Sequence, residues 1–527
     1  MGSGRDRSGM ASMSEDLMAN IVGRLPAVSF AAAACVCKSW RRVCSQVLSR
    51  PKLASALSLN PSAHIALQEV VDKVLSEPIF PHFAIVHAGQ GFSLAGALQY
   101  IGRKLGAQTP VIVSRDAGVI GIDVTTNEVK EVEWEDDSED NVTEINRKHG
   151  IVLTVGFVPG LKVDCIPLVR LAEGPAMVDK FIMDIREYST SISGCASPVG
   201  LILFGDGSAD IKCVVEKLDS AMPVETAIVG DERGEFLYRS VNDWGNVHGS
   251  QECCTDAVAL IFAKERNSTP GIGEIRFHMA LSDGVSKIGP RYKAVSVRTR
   301  DNHTWLTARR EGREEVLDGE SILNQIYDEM DDRIEYPELY IRVSKRRKHT
   351  TGAEKTKLIT SLSFHALLRG DEEYLYLDGT SIKTGDYFQF YYTDPATALA
   401  SGNKVSASLR SLNLGCNFKS SYQARAAAGN ADKAEVLGGF MFACCGRGAS
   451  FFGRPNVDCS PFVENFPGAP LAGMFCGGEI GCCSMSSEEQ GSRRESSTRG
   501  CCHVYSTVYL VMWHAPAPAP AGTTLRG

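Results

Sequence analysis

The sequence predicts a multidomain protein in which a small all-α unit of three helices precedes a large two-part module of α/β or α+β type. Its 527 residues exceed the roughly 250–300 residues at which a single hydrophobic core stops growing. An apolar pattern of helical period occupies the amino-terminal region, and strand-like and helical segments alternate over most of the remaining chain. Such alternation is typical of layered α/β architectures.

Changes in composition along the chain predict its domain order. Prolines follow the helical unit, a strand-like run opens at Phe83, and a second strand-rich region opens near Ile288. An Ala/Pro-rich end is expected to be extended and disordered. The predicted order is a disordered start (1–12), the helical unit (13–50), a linker with one helix (51–82), a first α/β part (83–287), a second part (288–514) and a disordered tail (515–527).

Overall composition argues against several classes of protein. The net charge of -8 argues against a nucleic-acid binder, which normally carries a basic excess. No apolar run approaches the roughly 20 residues of a membrane span, and the first residues lack the apolar stretch of a secretory signal. We therefore expect no membrane partner, a cytoplasmic and/or nuclear location, and reduced thiols for the 17 cysteines.

The amino-terminal unit shows the strongest local pattern. Ser14 is placed to cap a helix in which Leu17, Ile21 and Leu25 recur every four residues on one face. Pro26 ends that helix because proline cannot donate to the preceding turn. About 40 residues cannot bury enough apolar surface to be robust alone, so the remaining apolar residues are suited to docking a partner helix.

These residues, followed by Val36-Cys37-Lys38-Ser39-Trp40-Arg41, resemble an F-box, although Met13-Ser14 stands where that family usually has Leu-Pro. The resemblance implies a three-helix fold that binds a Skp-type adaptor and, through it, a cullin and a RING subunit. The alternative is an arbitrary helical hairpin with Trp40 as its core anchor. The residues expected to bind the adaptor are Leu17, Ile21, Leu25, Pro26, Val36, Cys37 and Trp40.

Two glycine-rich segments near the carboxyl terminus form the second pattern. Each follows a strand-like run, and glycine there permits positive φ and close approach of the backbone to a ligand. Arginine and glutamate side chains in these segments suit a carboxylate, phosphate or amine group. The alternative is that the glycines make tight turns and that Glu479 pairs with an arginine. The candidate ligand-site residues are Gly446, Arg447, Gly448, Arg454, Gly477, Gly478 and Glu479.

The segments Phe440–Pro455 and Pro470–Gly481, with the closing run His503–Met512, are similar to the carboxyl-terminal half of the FIST module. Phe83 to Phe262 is similar, more weakly, to its amino-terminal half. The resemblance implies a module that binds small ligands, amino acids among them, in its bacterial sensor members. It implies neither a catalytic residue nor a cofactor.

A metal site is disfavoured by cysteine spacing, and a nucleophile by the absence of an orienting group. Zinc ligands could come from Cys476, Cys482, Cys483, Cys501, Cys502 and His503, but C-x₂-C pairs are missing and adjacent cysteines on a strand point in opposite directions. A nucleophilic Cys445–His503 pair lacks a third, orienting group. We therefore expect neither a metal site nor catalysis.

A basic cluster, Lys345, Arg346, Arg347 and Lys348, falls in a segment expected to be a loop from Lys345 to Lys357. It is either a nuclear import signal, because compact positive charge suits an acidic receptor groove, or a solvated loop.

Together these patterns predict a substrate receptor of an SCF-type ubiquitin ligase. In this hypothesis the α/β parts hold an unidentified protein substrate near the conjugating enzyme, so that proximity and not catalysis drives transfer. The alternative hypothesis is a sensor of a small, amino-acid-like molecule bound by the FIST-like module.

Overall fold

The structure is a computed structural model of the chain. It describes residues 14–134, 149–170, 175–208, 210–241, 248–249, 255–266, 273–301, 303–330, 338–349, 357–416, 434–485 and 498–517. The expected disordered start (1–12), and the expected tail beyond residue 517, lie outside these ranges. No helix among the described residues is both long and apolar enough to cross a membrane.

The helices are numbered in chain order. They are α1 (Glu15–Val22), α2 (Ala27–Val36), α3 (Lys38–Val47), α4 (Ala63–Val74), α5 (Leu94–Leu105), α6 (Pro175–Ser193), α7 (Ile211–Ala221), α8 (Gly319–Asp328), α9 (Pro395–Cys416), α10 (Ala449–Phe452) and α11 (Ser460–Asn465).

The strands of the amino-terminal part are β1 (Lys52–Ser58), β2 (Phe83–Ala88), β3 (Val111–Arg115), β4 (Gly118–Ile122), β5 (Val129–Glu133), β6 (Ile151–Phe157), β7 (Leu161–Val169), β8 (Gly200–Gly205), β9 (Ala227–Asp231), β10 (Glu235–Arg239), β11 (His248–Gly249) and β12 (Thr255–Lys264). Those that follow are β13 (Glu274–Ser282), β14 (Val285–Arg300), β15 (His303–Arg310), β16 (Leu339–His349), β17 (Lys357–Gly370), β18 (Leu375–Asp378), β19 (Tyr387–Thr393), β20 (Glu435–Cys444), β21 (Leu471–Cys476), β22 (Glu479–Met485), β23 (Thr498–His503) and β24 (Thr507–Ala515).

The first sheet has the order β1-β6-β2-β3-β10-β11. Its edge strand β1 lies in residues 51–82, which we expected to be a linker with one helix. That expectation is wrong in part. The helix exists as α4, but Lys52 to Ser58 pair in full register with Phe157 to Ile151. The buried side chains of Leu53, Ala56 and Leu57 account for this, since they need a sheet to pack against.

The second sheet contains a closed barrel. Its order is β16-β19-β14-β15-β18-β17-β23-β22-β9-β8-β12-β7, and β16 also pairs with β17. The first six strands therefore close on themselves and enclose a core that includes Tyr292, Phe388 and Phe390. The predicted domain boundary between residues 287 and 288 does not separate two structural units, because it falls inside β14.

The third sheet, β13-β24-β20-β21-β4-β5, contains strands from both of the predicted α/β parts of the chain. Strand β21 pairs with β4, with Ala472 opposite Gly121. The second sheet mixes them in the same way, since β22 pairs with β9. The two sequence halves therefore form one interleaved body. The expected tail also begins later than residue 515, because Ala515 ends β24 and pairs with Glu274.

The three sheets share one apolar core. Phe83 of the first sheet, Phe262 of the second and Phe440 of the third all belong to it, and the Phe83 and Phe262 rings meet edge to face. Helices cover the outer faces: α4 and α5 cover the first sheet, α6 and α7 the second, and α9 and α11 the third.

Candidate functional site

Helices α1 to α3 form a small unit with a core of its own. Val22, Phe30, Ala33 and Cys44 are buried in it. Helix α1 begins where the Ser14 hydroxyl accepts a hydrogen bond from the Leu17 amide at 3.2 Å, as an N-cap does. The unit joins the remainder of the chain at α4, where the Ala27 amide donates to the Leu75 carbonyl at 3.0 Å.

Several large apolar side chains of this unit remain exposed, and we call them the exposed apolar set. They are Leu17 (51% exposed), Ile21 (48%), Val28 (81%) and Val36 (65%). The described parts of the chain leave them uncovered. Apolar side chains this exposed on one short module are typical of a docking surface.

The seven residues predicted to bind the adaptor divide into two groups. Leu17, Ile21 and Val36 belong to the exposed apolar set, and Pro26 and Cys37 are also exposed. Leu25 and Trp40 instead are partly buried and pack against the unit's own core. Their expected role in adaptor contact stays a prediction, whereas their packing role inside the unit is visible in the structure.

The predicted ligand residue Arg447 is buried by internal partners. Its Nη2 and Nε donate to Asp458 Oδ1 and Oδ2 at 2.6 and 2.9 Å. Nη1 donates to the Tyr505 carbonyl at 2.9 Å, and Nη2 also donates to the Ser282 hydroxyl at 3.0 Å. An internal salt bridge was one of the two expected readings, but Glu479 was the wrong partner.

The four glycines predicted for the ligand site do not adopt positive φ. A Cβ on Gly446 would lie 2.7 Å from the Tyr505 ring, and one on Gly478 would lie 2.9 Å from the Glu232 Cβ. A Cβ on Gly448 would overlap the Glu133 carboxylate. These three glycines therefore make room for the chain's own side chains. Gly477 is the least crowded of the four, because the nearest atom to a Cβ there, the Arg233 Cβ, would be 3.3 Å away.

Glu479 and Arg454 lie in different environments. Arg454 is exposed after α10, and no hydrogen bond or ion pair between described residues joins it to Glu479. Glu479 is 1% exposed, and its Oε2 accepts hydrogen bonds from the Ser506 hydroxyl at 2.8 Å and amide at 3.3 Å. Burial raises the pKa of Glu479 to about 8. Its Oε1 has no partner by hydrogen-bond distance and angle among the described residues, and the neighbouring Cys444 thiol partly offsets the effect of burial on the pKa of Glu479.

Glu479 belongs to a group that we call the carboxyl cluster: Asp116, Asp231 and Glu479. Asp116 follows β3 and accepts a hydrogen bond from the Gly477 amide at 2.7 Å; burial raises its pKa to about 7. Asp231 ends β9 and is fully buried, and burial followed by the Asp116 charge raises its pKa well above the ordinary value. Its Oδ2 also lacks a hydrogen-bond partner within the described ranges.

Three thiols adjoin the carboxyl cluster. Cys444 ends β20 beside Cys476 of β21, and the next residue, Cys445, is exposed. A hydrogen bond from the Cys444 thiol lowers the pKa of Cys445. His503 is not beside Cys445 as a base: its Nε2 pairs with the Gly481 carbonyl at 2.8 Å. His503 therefore does not act as the base of a Cys445 nucleophile through this ring nitrogen.

The basic cluster lies on a strand and not in the expected loop. Residues 345–348 form part of β16, which pairs with β17. Lys345 is largely buried, and its Nζ donates to the Ser381 carbonyl at 2.6 Å and lies 3.7 Å from Glu216 Oε1. The side chains of Arg346, Arg347 and Lys348 lie outside the described part. The loop prediction is wrong for residues 345–349, because the side chains of Ile341 and Val343 point into the barrel core at alternate positions and place this segment on a strand.

Comparison with known proteins agrees with this geometry. The F-box domain profile matches residues 10–52, and the FIST C domain profile matches residues 365–482. The F-box/LRR-repeat protein At5g63520 of Arabidopsis thaliana is 42% identical over 511 residues, which cover 95% of this chain and 93% of that protein. The chain belongs to the F-box protein family.

F-box only protein 22 of Homo sapiens and of Pongo abelii matches a shorter stretch of this F-box protein. Each is 51% identical over 45 residues, which are 8% of this chain and 11% of the relative. The predicted F-box and FIST assignments are thereby confirmed for residues 10–52 and 365–482. The similarity of Phe83 to Phe262 to the amino-terminal FIST half stays a prediction.

Sequence reasoning on this F-box protein missed Asp116, Asp231 and Asp458. Asp231 stands one residue after the apolar run Ala227-Ile228-Val229, and Asp116 stands two residues after Val111-Ile112-Val113. Polar residues at the carboxyl ends of strands commonly line ligand sites in α/β proteins. That signal was available for both. Asp458 carried no such signal, because its pairing with Arg447 depends on how α10 and α11 fold back.

Proposed function

We propose that this F-box protein is the substrate-recognition subunit of an SCF-type ubiquitin ligase. The observation that carries the proposal is the exposed apolar set on a three-helix unit that has its own core. Fully burying a side chain such as Leu or Ile contributes about 1.5–3 kcal/mol. Three or four half-exposed residues would therefore supply several kcal/mol on binding a Skp-type adaptor.

In the proposed mechanism, the F-box links the chain through the adaptor to a cullin and a RING subunit. The interleaved body holds a target protein close to the ubiquitin-conjugating enzyme. Holding the two together raises their effective concentration, so the receptor itself needs no catalytic residue. Reduced thiols at the described cysteines suit the cytoplasm and nucleus, where we propose that the protein acts.

Affinity purification tests the proposal. Tagged wild-type protein is expected to recover a Skp-type adaptor and a cullin from eukaryotic cells, whereas Ile21→Asp is expected to lose both. The matched control is Ile65→Asp, because Ile65 is 46% exposed on α4 and Ile21 is 48% exposed on the F-box. Equal recovery of the adaptor by Ile21→Asp and wild type would overturn the proposal.

A second candidate function is sensing of a small cationic ligand at the carboxyl cluster. Buried carboxyl groups are costly unless they are paired, yet one oxygen of Asp231 and one of Glu479 have no hydrogen-bond partner within the described residues. A primary amine, as in an amino acid or a diamine, would supply the missing donors. Gly477 is exposed and Asp116 is half-buried, whereas Asp231 and Glu479 are fully buried, so Asp116 is the member that an amine would meet first.

Thermal unfolding in the presence of amino acids and of putrescine tests the sensor function. A ligand that binds the folded state at 100 times its Kd stabilises it by about 2.7 kcal/mol, which shifts Tm by several degrees. Asp231→Asn is expected to abolish that shift, and Glu314→Gln, an exposed control, is expected to retain it. If no amine shifts Tm, the sensor candidate is wrong and the receptor proposal is unaffected.

A further inference from the structure

Three potential metal ligands converge beneath helix α7. Asp219 comes from α7, Cys482 from β22 and Cys501 from β23, and their ligand atoms all lie within 4.8 Å of one another. All three residues are buried: Asp219 is 8% exposed, Cys482 1% and Cys501 5%. Among the described residues this is the one group of at least three such side chains that meets this distance.

The pairing of β22 with β23 explains how these cysteines meet. Ile480 stands opposite Cys502 and Cys483 opposite Gly500, with an irregularity between them. Cys482 therefore faces Cys501 within that irregularity. Spacing in the sequence disfavoured zinc because adjacent cysteines point apart. In the structure each adjacent pair contributes one thiol to the group, and the third ligand comes from a helix more than 260 residues earlier.

We propose that Asp219, Cys482 and Cys501 bind one Zn²⁺ ion. Two thiolates and one carboxylate form a ligand set that zinc prefers over magnesium and calcium, which favour oxygen alone. Tetrahedral zinc with Zn–S bonds of about 2.3 Å holds its two sulfurs about 3.8 Å apart. Since the ligand atoms lie within 4.8 Å of one another, reaching that geometry requires side-chain shifts of at most about 1 Å.

One of the three proposed ligands borders a large cleft. The cleft has a volume of about 1880 Å³, and Cys482 is among the residues that line it, whereas Asp219 and Cys501 are not. The Cys482 side is therefore where we place the approach of the metal. A water molecule completes the tetrahedron, in the arrangement of zinc sites with three protein ligands.

The site would strengthen the join between the two halves of the chain. The β22–β23 pair links β9, from the amino-terminal part, to β17 of the barrel. Asp219 lies on the helix that covers this pair. A zinc ion bound there ties α7 to the hairpin, and its binding releases the two thiol protons. The role is structural and is independent of adaptor binding.

Metal content of the full chain, purified with its adaptor under reducing conditions and without chelators, tests this proposal. We expect about one zinc per chain and, after Co²⁺ replacement, a sulfur-to-cobalt charge-transfer absorption of two thiolates. Loss of a residue that only hydrogen-bonds a metal ligand weakens metal binding roughly 10- to 100-fold. Cys482→Ser and Cys501→Ser each remove a ligand itself, so each is expected to weaken zinc binding by at least that factor. Asp219→Asn is expected to weaken it by at least about tenfold.

The matched control is Cys165→Ser, because Cys165 is also a buried strand cysteine but stands outside the group. It is expected to keep one zinc per chain. Reduced wild-type protein that takes up neither Zn²⁺ nor Co²⁺ at micromolar concentration would overturn the proposal without any variant. So would equal zinc content in all the variants, or a Cys482–Cys501 disulfide under reducing conditions.

Discussion

The guanidinium of Arg447 and the carboxylate of Asp458 form a buried, bidentate ion pair beside the third sheet, with N–O distances of 2.6 and 2.9 Å. Arg447 is 1% exposed, and burial of its partner Asp458 is nearly as complete. The pair anchors the loop after β20 to the segment between α10 and α11. Arg447 therefore stabilises the loop after β20, and its guanidinium is not directed towards solvent or a ligand.

Removing one partner of this pair is expected to destabilise the fold. Arg447→Ala leaves a buried charge on Asp458, which should lower the free energy of unfolding by about 3–5 kcal/mol. Urea unfolding measures the change. Arg309→Ala, which breaks an ion pair with the 95%-exposed Glu314, should cost less than about 1 kcal/mol. Similar losses for both variants would contradict the structural role of Arg447.

Stability is expected to fall with rising pH because of Glu479. Its pKa is about 8 in the folded protein against 4.5 ordinarily, so the folded state holds a proton that the unfolded state has released between these values. That linkage destabilises the fold progressively from about pH 4.5 to pH 8, by on the order of a few kcal/mol.

Unfolding in urea at pH 5.5 and pH 8.5 checks this linkage. Glu479→Gln cannot ionise, so its free energy of unfolding should change less between the two pH values than that of wild type. Glu314→Gln, at an exposed control position, should follow wild type. An unchanged pH dependence in Glu479→Gln would show that Glu479 titrates normally.

Two neighbouring glycines are expected to respond differently to alanine. Gly478→Ala places a Cβ 2.9 Å from the Glu232 Cβ, whereas at Gly477 the nearest atom would be 3.3 Å away. Overpacking typically costs about 1–3 kcal/mol, so Gly478→Ala should lower the free energy of unfolding by that amount. Gly477→Ala should cost less than Gly478→Ala, because the Arg233 Cβ at 3.3 Å needs to move by only a few tenths of an ångström. Equal losses of stability in the two variants would show that the close contact with Glu232 is not the reason why position 478 requires glycine.

Lys345 is expected to act as a structural residue of the barrel. Lys345→Ala removes a hydrogen bond to the Ser381 carbonyl, and a bond to a charged group contributes about 1.5–3 kcal/mol. Urea unfolding measures the loss. The distribution of a fluorescent fusion between nucleus and cytoplasm should not change. A shift towards the cytoplasm with unchanged stability would favour the import-signal reading instead.

The elements that depend on local pattern were predictable from the sequence. Helix α5 (Leu94–Leu105) is one of them, because the Ser93 cap, the apolar period and Gly106 all lie within a few residues. The first F-box helix was predicted from its Ser14 cap, but the prediction that it includes Leu25 and is ended by Pro26 is wrong, because the helix ends at Val22. Apolar side chains left over on α1 and α2 followed from the small size of that unit.

Long-range arrangements were not predictable in this way. Closure of the barrel through β16 and β17, and pairing of β4 with β21 across about 350 residues, depend on which sheet each strand joins. The sequence does not specify that order locally. For the same reason Asp458 was missed as the partner of Arg447, and Asp219 as a neighbour of Cys482. Buried polar residues find partners through topology, not spacing.

Calorimetric titration of a purified Skp-type adaptor into this chain measures docking of the F-box on its partner. The wild type should bind. Leu17→Asp combined with Val36→Asp places charge on the exposed apolar set, which should weaken binding by about 3 kcal/mol or more, over 100-fold in Kd. Leu25 and Trp40 are avoided because they pack inside the F-box. An unchanged Kd in the double variant, with Ile65→Asp as control, would contradict the account.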